Sequence, residues 1–290
     1  MDVVLSVATL SAGVRLALPV ALAALGALLC ERAGVLNLGI EGLMVSGALA
    51  GYLVTDATGS PWVGLLAGLL TGAVCGAVLA LVVVGLGANQ IVTGLAFTLM
   101  AGAATSFIFQ LSFGIGQNPP RIERIGMPAL IVLTLVVLAA IIVVLRGTVA
   151  GLVVAAVGEA PVAADALGYH VARTRYVATI AGSAIAALAG AVLVCGPLGL
   201  FIQNVTAGRG WVALALVVFA GWRPLPCALG ALLFGLCDAI QLRLQGTSTE
   251  IPYEVFLALP YVVTLVALVL RGRNSRTPAA LGVPFDRRLA

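Results

Sequence analysis

Lysine is absent from this sequence of 290 residues, and charge of either sign is scarce: 15 arginines and 11 acidic residues make up 9% of the chain. A soluble domain carries about 25% charge to cover its surface, so this chain has too little polar material to face water on all sides. The missing lysine also excludes the phosphate-cradling loop of P-loop ATPases, whose G-x-x-x-x-G-K-[ST] lysine reaches the nucleotide phosphates. Any ATP hydrolysis must therefore come from another chain. The one histidine, His170, has no carboxylate or cysteine company in sequence and is assigned no chemistry. Cys30, Cys75, Cys195, Cys227 and Cys237 are scattered through apolar stretches with no C-x-x-C pair, and read as small buried thiols. No G-x-S-x-G elbow, H-E-x-x-H pair or metal-ligand spacing occurs, so neither a catalytic residue nor a metal site is expected. No basic, aromatic-interleaved patch suggests a nucleic-acid partner.

What is present is apolar. Hydrophobic residues reach 62% and the mean hydropathy is +1.18. A helix needs about 20 apolar residues to cross the hydrocarbon core of a bilayer. Candidate spans fall at 13–30, 37–55, 61–84, 89–112, 127–145, 176–196, 209–222, 224–241 and 253–271. The expected fold is all-α, a polytopic transmembrane bundle of about nine spans (eight to ten). The seventh and eighth are short, hence tilted, re-entrant or joined as a broken pair. The transmembrane domain is expected over 1–272, with a cytoplasmic loop at 147–175 and a cytoplasmic tail at 273–290. The N-terminus has no basic leader and reads as an amphipathic lead-in followed by a retained span.

Arginine placement suggests an orientation. Arg146, Arg173 and Arg175 flank one polar loop, and Arg271, Arg273, Arg276, Arg287 and Arg288 crowd the C-terminal region. Placing both in the cytoplasm, with Arg32 and Arg223, gives the positive-inside bias and leaves the N-terminus outside. Small residues recur at four-residue spacing, as in Gly47/Gly51 and Gly68/Gly72/Gly76. Such stripes let helix backbones approach closely in lipid and predict tight packing, without specifying an activity.

A charged side chain at the membrane centre costs about 2.5–3.5 kcal/mol on insertion scales, so intramembrane polar residues are the first candidates for function. Within Glu31–Gly42, three glycines loosen the helix, Asn37 is placed to cap a new one, and Glu41 falls in its first turn, where the dipole favours a carboxylate. Both residues fit a simple helix break, and both fit the lining of a solute path. Asn89 and Gln90 precede the fourth span, and Asn204 and Arg209 lie in a second polar cluster, Gln203–Trp211; these too serve either a solute or the loop backbone. Asp238 and Gln241, three apart on one face, read first as an interhelical hydrogen bond.

The stretch Gly158–Tyr176 differs in character. Pro161 suits the first turn of a short helix and Gly168 its C-terminal stop. Ala160, Ala163, Ala164 and Leu167 form a small apolar face at helical spacing, with Glu159 and Asp165 beside it. Such a helix fits a groove on a soluble partner, or serves as an ordinary interfacial connector.

At these residues the sequence resembles the shorter of the two permease subunits of bacterial nucleoside importers, within the wider ribose/branched-chain amino acid permease family. The likeness lies in Glu31–Gly42, Ala88–Gly94, Gly158–Tyr176, Thr206–Trp211, Ile251–Tyr253 and Pro278–Gly282, in order along nearly the whole chain. It implies an ABC importer in the bacterial inner membrane, carrying nucleosides, purine nucleosides among them. It also implies that Glu159, Ala160, Pro161, Ala164, Asp165, Leu167 and Gly168 form the coupling helix that engages the ATPase. The implied partners are a longer homologous permease, two copies of an ATPase that binds ATP and Mg, and a lipid-anchored substrate-binding protein. The chain itself would need no cofactor. Thr206–Trp211 leans toward nucleosides over simple sugars. The alternatives are a ribose-type ABC permease and, from another class, an ion-coupled secondary transporter with Glu41 or Asp238 as the proton site.

Overall fold

The computed structural model describes residues 7–114, 119–244, 262 and 277–285. Among them the regular structure is helical throughout. In chain order the elements are α1 (Val7–Arg32), α2 (Ile40–Thr58), α3 (Pro61–Ala80), α4 (Gln90–Phe113), α5 (Met127–Gly147), α6 (Val149–Glu159), α7 (Pro161–Ala166), α8 (Val171–Leu193), α9 (Arg209–Ala220) and α10 (Pro224–Leu244). Helices α3 and α8 each run on into a π-helical turn, Leu81–Gly85 and Val194–Leu198. All-helical spans follow from the solvent: in hydrocarbon every backbone N–H and C=O must be paired within its own segment.

Eight of the nine expected spans fall on helices, and the ninth, 253–271, lies outside the described residues. Among the described residues, six helices are long and apolar enough to cross a membrane: α1, α3, α4, α5, α8 and α10. Helix α9 has 12 residues, about 18 Å at 1.5 Å per residue, and is too short to cross alone. Helix α10 corrects the expectation of a short eighth span: it runs for 21 residues. Its polar end, Gln241 to Arg243, lowers the local hydropathy without stopping the helix, because continuing keeps the backbone paired. Pro19 inside α1 is likewise carried without a break.

The small-residue stripes find their partner in α8. Along α3, Gly68 faces Ala191, Gly72 faces Ala187 and Gly76 faces Ser183, with no room for a Cβ at any of the three. From α2, Gly47 lies against the backbone of Ala187 and Gly51 against Ala191; from α1, Gly26 meets Gly182. Helix α8 is thus clasped by α1, α2 and α3 at backbone contact distance, the arrangement small residues permit in lipid. Helices α4 and α5 lie at the periphery and expose long aliphatic faces.

The two ends of the bundle differ. At one, Tyr52, Phe109, Phe113 and Phe201 form an aromatic cluster with ring centroids 5.1–6.5 Å apart, and the Tyr52 hydroxyl donates to Pro120 O at 2.7 Å. At the other lie Gly34, Gly158, Arg175 and the segment 277–285, which is joined to Gly34 and Gly158 by backbone hydrogen bonds and to Arg175 through its side chain.

Candidate functional site

Glu41 stands in the first turn of α2, as its sequence context suggests. What holds it comes from 165 residues and more further along the chain. Its Oε1 accepts from the Thr206 hydroxyl (2.5 Å) and the Gly208 N–H (2.9 Å), and its Oε2 from the Gly210 N–H (2.6 Å). Gly208 is the N-cap residue of α9 and Gly210 lies in its first turn, where backbone N–H groups lack intrahelical partners. One buried carboxylate therefore closes the N-terminus of α9 while sitting at the start of α2. The turn leading in is tight: Asn204, Ala207 and Gly208 all have positive φ, at 57°, 45° and 82°. Asn204 is exposed, and its carbonyl accepts the Ala207 N–H at 3.0 Å.

Next to this node, Arg209 donates through Nη2 to Asp238 Oδ2 (3.2 Å) and through Nη1 to Thr206 O (3.3 Å). This pair ties α9 to α10, and both side chains retain some exposure, 20% and 15%. Asp238 thus makes an interhelical bond of the kind expected, but with Arg209; Gln241 is buried and its Oε1 has no partner among the described residues.

The break between α1 and α2, residues 33–39, is fastened by side chains from two other helices. Asn37 Nδ2 donates to Ser183 Oγ on α8 (3.2 Å), and its Oδ1 accepts the Gly39 N–H (3.0 Å). Asn37 therefore closes a local turn rather than capping α2, whose N-cap residue is Gly39 with no side-chain bond. The Leu36 N–H donates to Gln90 Oε1 at 2.7 Å, and the Thr98 hydroxyl to Leu38 O at 3.2 Å. Asn89 is the N-cap of α4, accepting from the N–H groups of Ile91 and Val92 at 3.0 and 3.1 Å. The structure thus brings Glu41, Arg209 and the Asn204 turn into one node. It places Asn37 and Gln90 at a second, and Asn89 at the surface beside it.

One pair carried no separate signal in the sequence. Glu31, at 2% exposure, accepts from Trp222 Nε1 at 2.6 Å, and Trp222 itself has a positive φ of 55°. Glu31 lies at the end of α1 and Trp222 just after α9, so the bond joins the C-terminal ends of these two helices, at the opposite end of α9 from the Glu41 node. A glutamate followed by arginine at the end of an apolar run resembles any interfacial residue; only the tryptophan 191 positions away reveals its burial.

The short helix expected near Pro161 is present as α7, with Pro161 in its first turn. Gly168, at φ +89°, ends it in the left-handed conformation that favours glycine. The expected apolar face divides. Ala164 turns inward on to Val157 and Val171, whereas Ala160, Ala163 and Leu167 stay exposed, Leu167 at 77%. Asp165 is half-buried, and the Glu159 carboxylate accepts the Ala279 N–H at 3.2 Å.

A cavity of about 520 Å³ lies elsewhere, among α1, α5, α6 and α8. Ile141, Val144, Val153, Val177 and Ile185 line it and Arg173 stands among them. Its walls offer almost no hydrogen-bonding groups, so it suits hydrocarbon and not a polar solute.

A family model described as "Branched-chain amino acid transport system / permease component" matches residues 9–268. Among similar proteins, TsgC13 of Haloferax volcanii is 36% identical over 97% of this chain and 98% of its own; its name assigns it provisionally as a glucose ABC transporter permease. The guanosine ABC transporter permease NupQ of Bacillus subtilis is 31% identical, covering 93% of each chain. The nucleoside ABC transporter permease NupC of Lactococcus lactis is 30% identical over 92% of this chain and 93% of its own. No solved structure matches.

Proposed function

This chain belongs to the branched-chain amino acid transport system / permease component family, and from that we propose that it is a membrane permease subunit of an ATP-driven importer whose cargo is a nucleoside. The observation that carries this reading is the end-to-end similarity to NupQ and NupC, two nucleoside permeases from different bacteria, at 30–31% identity. The Thr206–Trp211 stretch, which builds the Glu41 node, supports the same branch. A second reading, a hexose permease, is favoured by the 36% identity to TsgC13.

In the proposed arrangement the chain lies in the bacterial inner membrane over residues 1–272. The loop 147–175 and the tail 273–290 are cytoplasmic, with the aromatic Tyr52 end outside. It pairs with a longer homologous permease, an ABC ATPase that binds ATP and Mg, and a lipid-anchored binding protein that delivers the solute. The ATPase engages Glu159–Gly168, through the exposed side chains of α7 and Leu167, as an amphipathic helix engages a groove. Closure of the ATPase dimer shifts α7. The hydrogen-bonded breaks at Asn37/Gln90 and at Glu41, Asn204 and Arg209, with the Asn89 cap, are the points at which helices re-orient to pass the solute.

The test is uptake of labelled guanosine, adenosine, uridine, ribose and glucose by cells with and without the gene. Loss of nucleoside uptake alone, restored by the wild-type gene, is the expected result. Loss of glucose or ribose uptake with nucleosides unaffected overturns the choice of cargo and keeps the importer.

A further inference from the structure

The segment 277–285 lies across the end of the bundle where α7 sits, and its backbone is bonded to three separate elements. The Ala280 N–H donates to Gly158 O (2.9 Å), at the end of α6. The Gly282 N–H donates to Gly34 O (3.2 Å), in the break between α1 and α2. From α8, Arg175 Nη1 donates to Val283 O at 2.8 Å. The Ala279 N–H adds its bond to the Glu159 carboxylate, one residue before the α6–α7 junction. Two apolar side chains complete the attachment: Leu281 packs on the main core, and Phe285 on the Val157, Ala164 and Val171 cluster that underlies α7.

The receiving surface is built closely around this segment. Arg175 is 2% exposed, and its Nε and Nη2 have no hydrogen-bond partner among the described residues. Among the described residues, the Val283 carbonyl is the acceptor offered to this buried guanidinium. Gly34, at φ +83°, leaves no room for a side chain: a Cβ there would fall 3.0 Å from Arg175 Nη2 and 3.1 Å from Ala280 O. At Gly158 a Cβ would collide with the carbonyl of Arg32. The segment keeps its own shape through the Leu281 N–H to Pro278 O bond (3.0 Å), the Val283 N–H to Ala280 O bond (3.2 Å) and a left-handed Gly282 at φ +78°.

We propose that residues 277–285 form a strap that positions α7 against the α1–α2 break, so that displacement of α7 reaches residues 33–39 and, through them, Ser183 and Gln90. This rests on the reading of α7 as the ATPase contact. A packed, hydrogen-bonded chain of this kind transmits movement only while its parts keep discrete positions. The strap supplies that constraint between α7 and the break, with Gly158, Gly34 and Arg175 as its anchor points. Gly282 and Arg175 are positioning residues: they act on the passage through the strap and touch no solute.

The test uses the full complex with its ATPase and binding protein, and reads uptake of whichever labelled solute the wild-type complex carries. Removal of residues 277–290 is expected to cut uptake about tenfold, inside the 5–150-fold range of typical couplings, while basal ATP hydrolysis stays within about twofold. Where truncation lowers assembly, Gly282→Pro decides. It removes the N–H that bonds Gly34 O and disfavours the left-handed φ, and it lies outside the membrane spans. Hydrogen exchange at 33–39 and at 158–168 is expected to rise in both variants. Uptake within about twofold of wild type in the Gly282→Pro complex, or unchanged exchange at 33–39, overturns the strap. A separate Leu167→Asp variant, scored by co-purification of the ATPase, tests the reading beneath: if the ATPase still binds fully, the coupling assignment fails whatever the strap does.

Discussion

The N–H of Gly210 points at the carboxylate of Glu41 from 2.6 Å, so that the first turn of α9 is closed by a residue from the first turn of α2. Two N-termini with like dipole ends would otherwise repel; the shared carboxylate favours both. A Cβ built on Gly210 would fall 2.6 Å from Glu41 Cα, so only glycine allows the approach. Gly210→Ala is expected to destabilise the fold by about 1–3 kcal/mol through overpacking, seen as a lower Tm in detergent. Glu41→Ala, which strands three donors at about 1–3 kcal/mol each, is expected to lower it further. An unchanged Tm in both variants removes the node from any structural role.

Asp238 and Arg209 are largely buried, at 15% and 20% exposure, and stripping a buried charge of its partner costs up to about 3–5 kcal/mol. Asp238→Asn keeps an acceptor for Arg209 but removes the compensating charge, and is therefore expected to lower Tm measurably. In an importer driven by ATP, uptake in this variant persists and ignores a protonophore that collapses the proton gradient. Loss of uptake in Asp238→Asn, together with protonophore sensitivity of the wild type, would point to a proton-coupled transporter instead.

Trp222→Phe keeps most of the apolar volume and removes the donor that Glu31 accepts from. A buried carboxylate stripped of its bond costs about 1.5–3 kcal/mol, so the variant should unfold at lower temperature. The double change Glu31→Leu with Trp222→Phe is expected to recover part of the loss, because replacing both partners by apolar groups leaves nothing unsatisfied. Additive losses in that cycle would show that the two side chains do not act as a pair.

The stripe on α3 offers an internal comparison. Gly72→Val puts a side chain against Ala187 and the backbone of Ser183, whereas Gly102 on α4 has nothing within 4 Å of its Cβ direction. Gly72→Val is expected to prevent recovery of folded protein, and Gly102→Val to leave it intact. Equal yields, measured by monodisperse elution in detergent, would contradict the clasp around α8.

Much of this architecture is visible in one dimension. The 9% charge and long apolar runs dictate a membrane bundle, because only helices and closed barrels keep their backbone paired in hydrocarbon. Pro161 and Gly168 bracket α7 by their own φ preferences. The four-residue glycine spacing announces close helix contact. These signals are local: each depends on a residue and its neighbours within a turn or two.

The tertiary structure decided which groups meet. That Gly68, Gly72 and Gly76 rest on α8, that Glu41 serves α9, and that Asn37 and Gln90 fasten the same break from different helices are pairings between residues 54 to 169 positions apart. No periodicity encodes them, since a stripe of small residues fits any helix of matching shape, and a buried carboxylate only requires donors of some origin. The partners were fixed by the one packing in which the backbones approach closely and the buried polar groups in these breaks find each other.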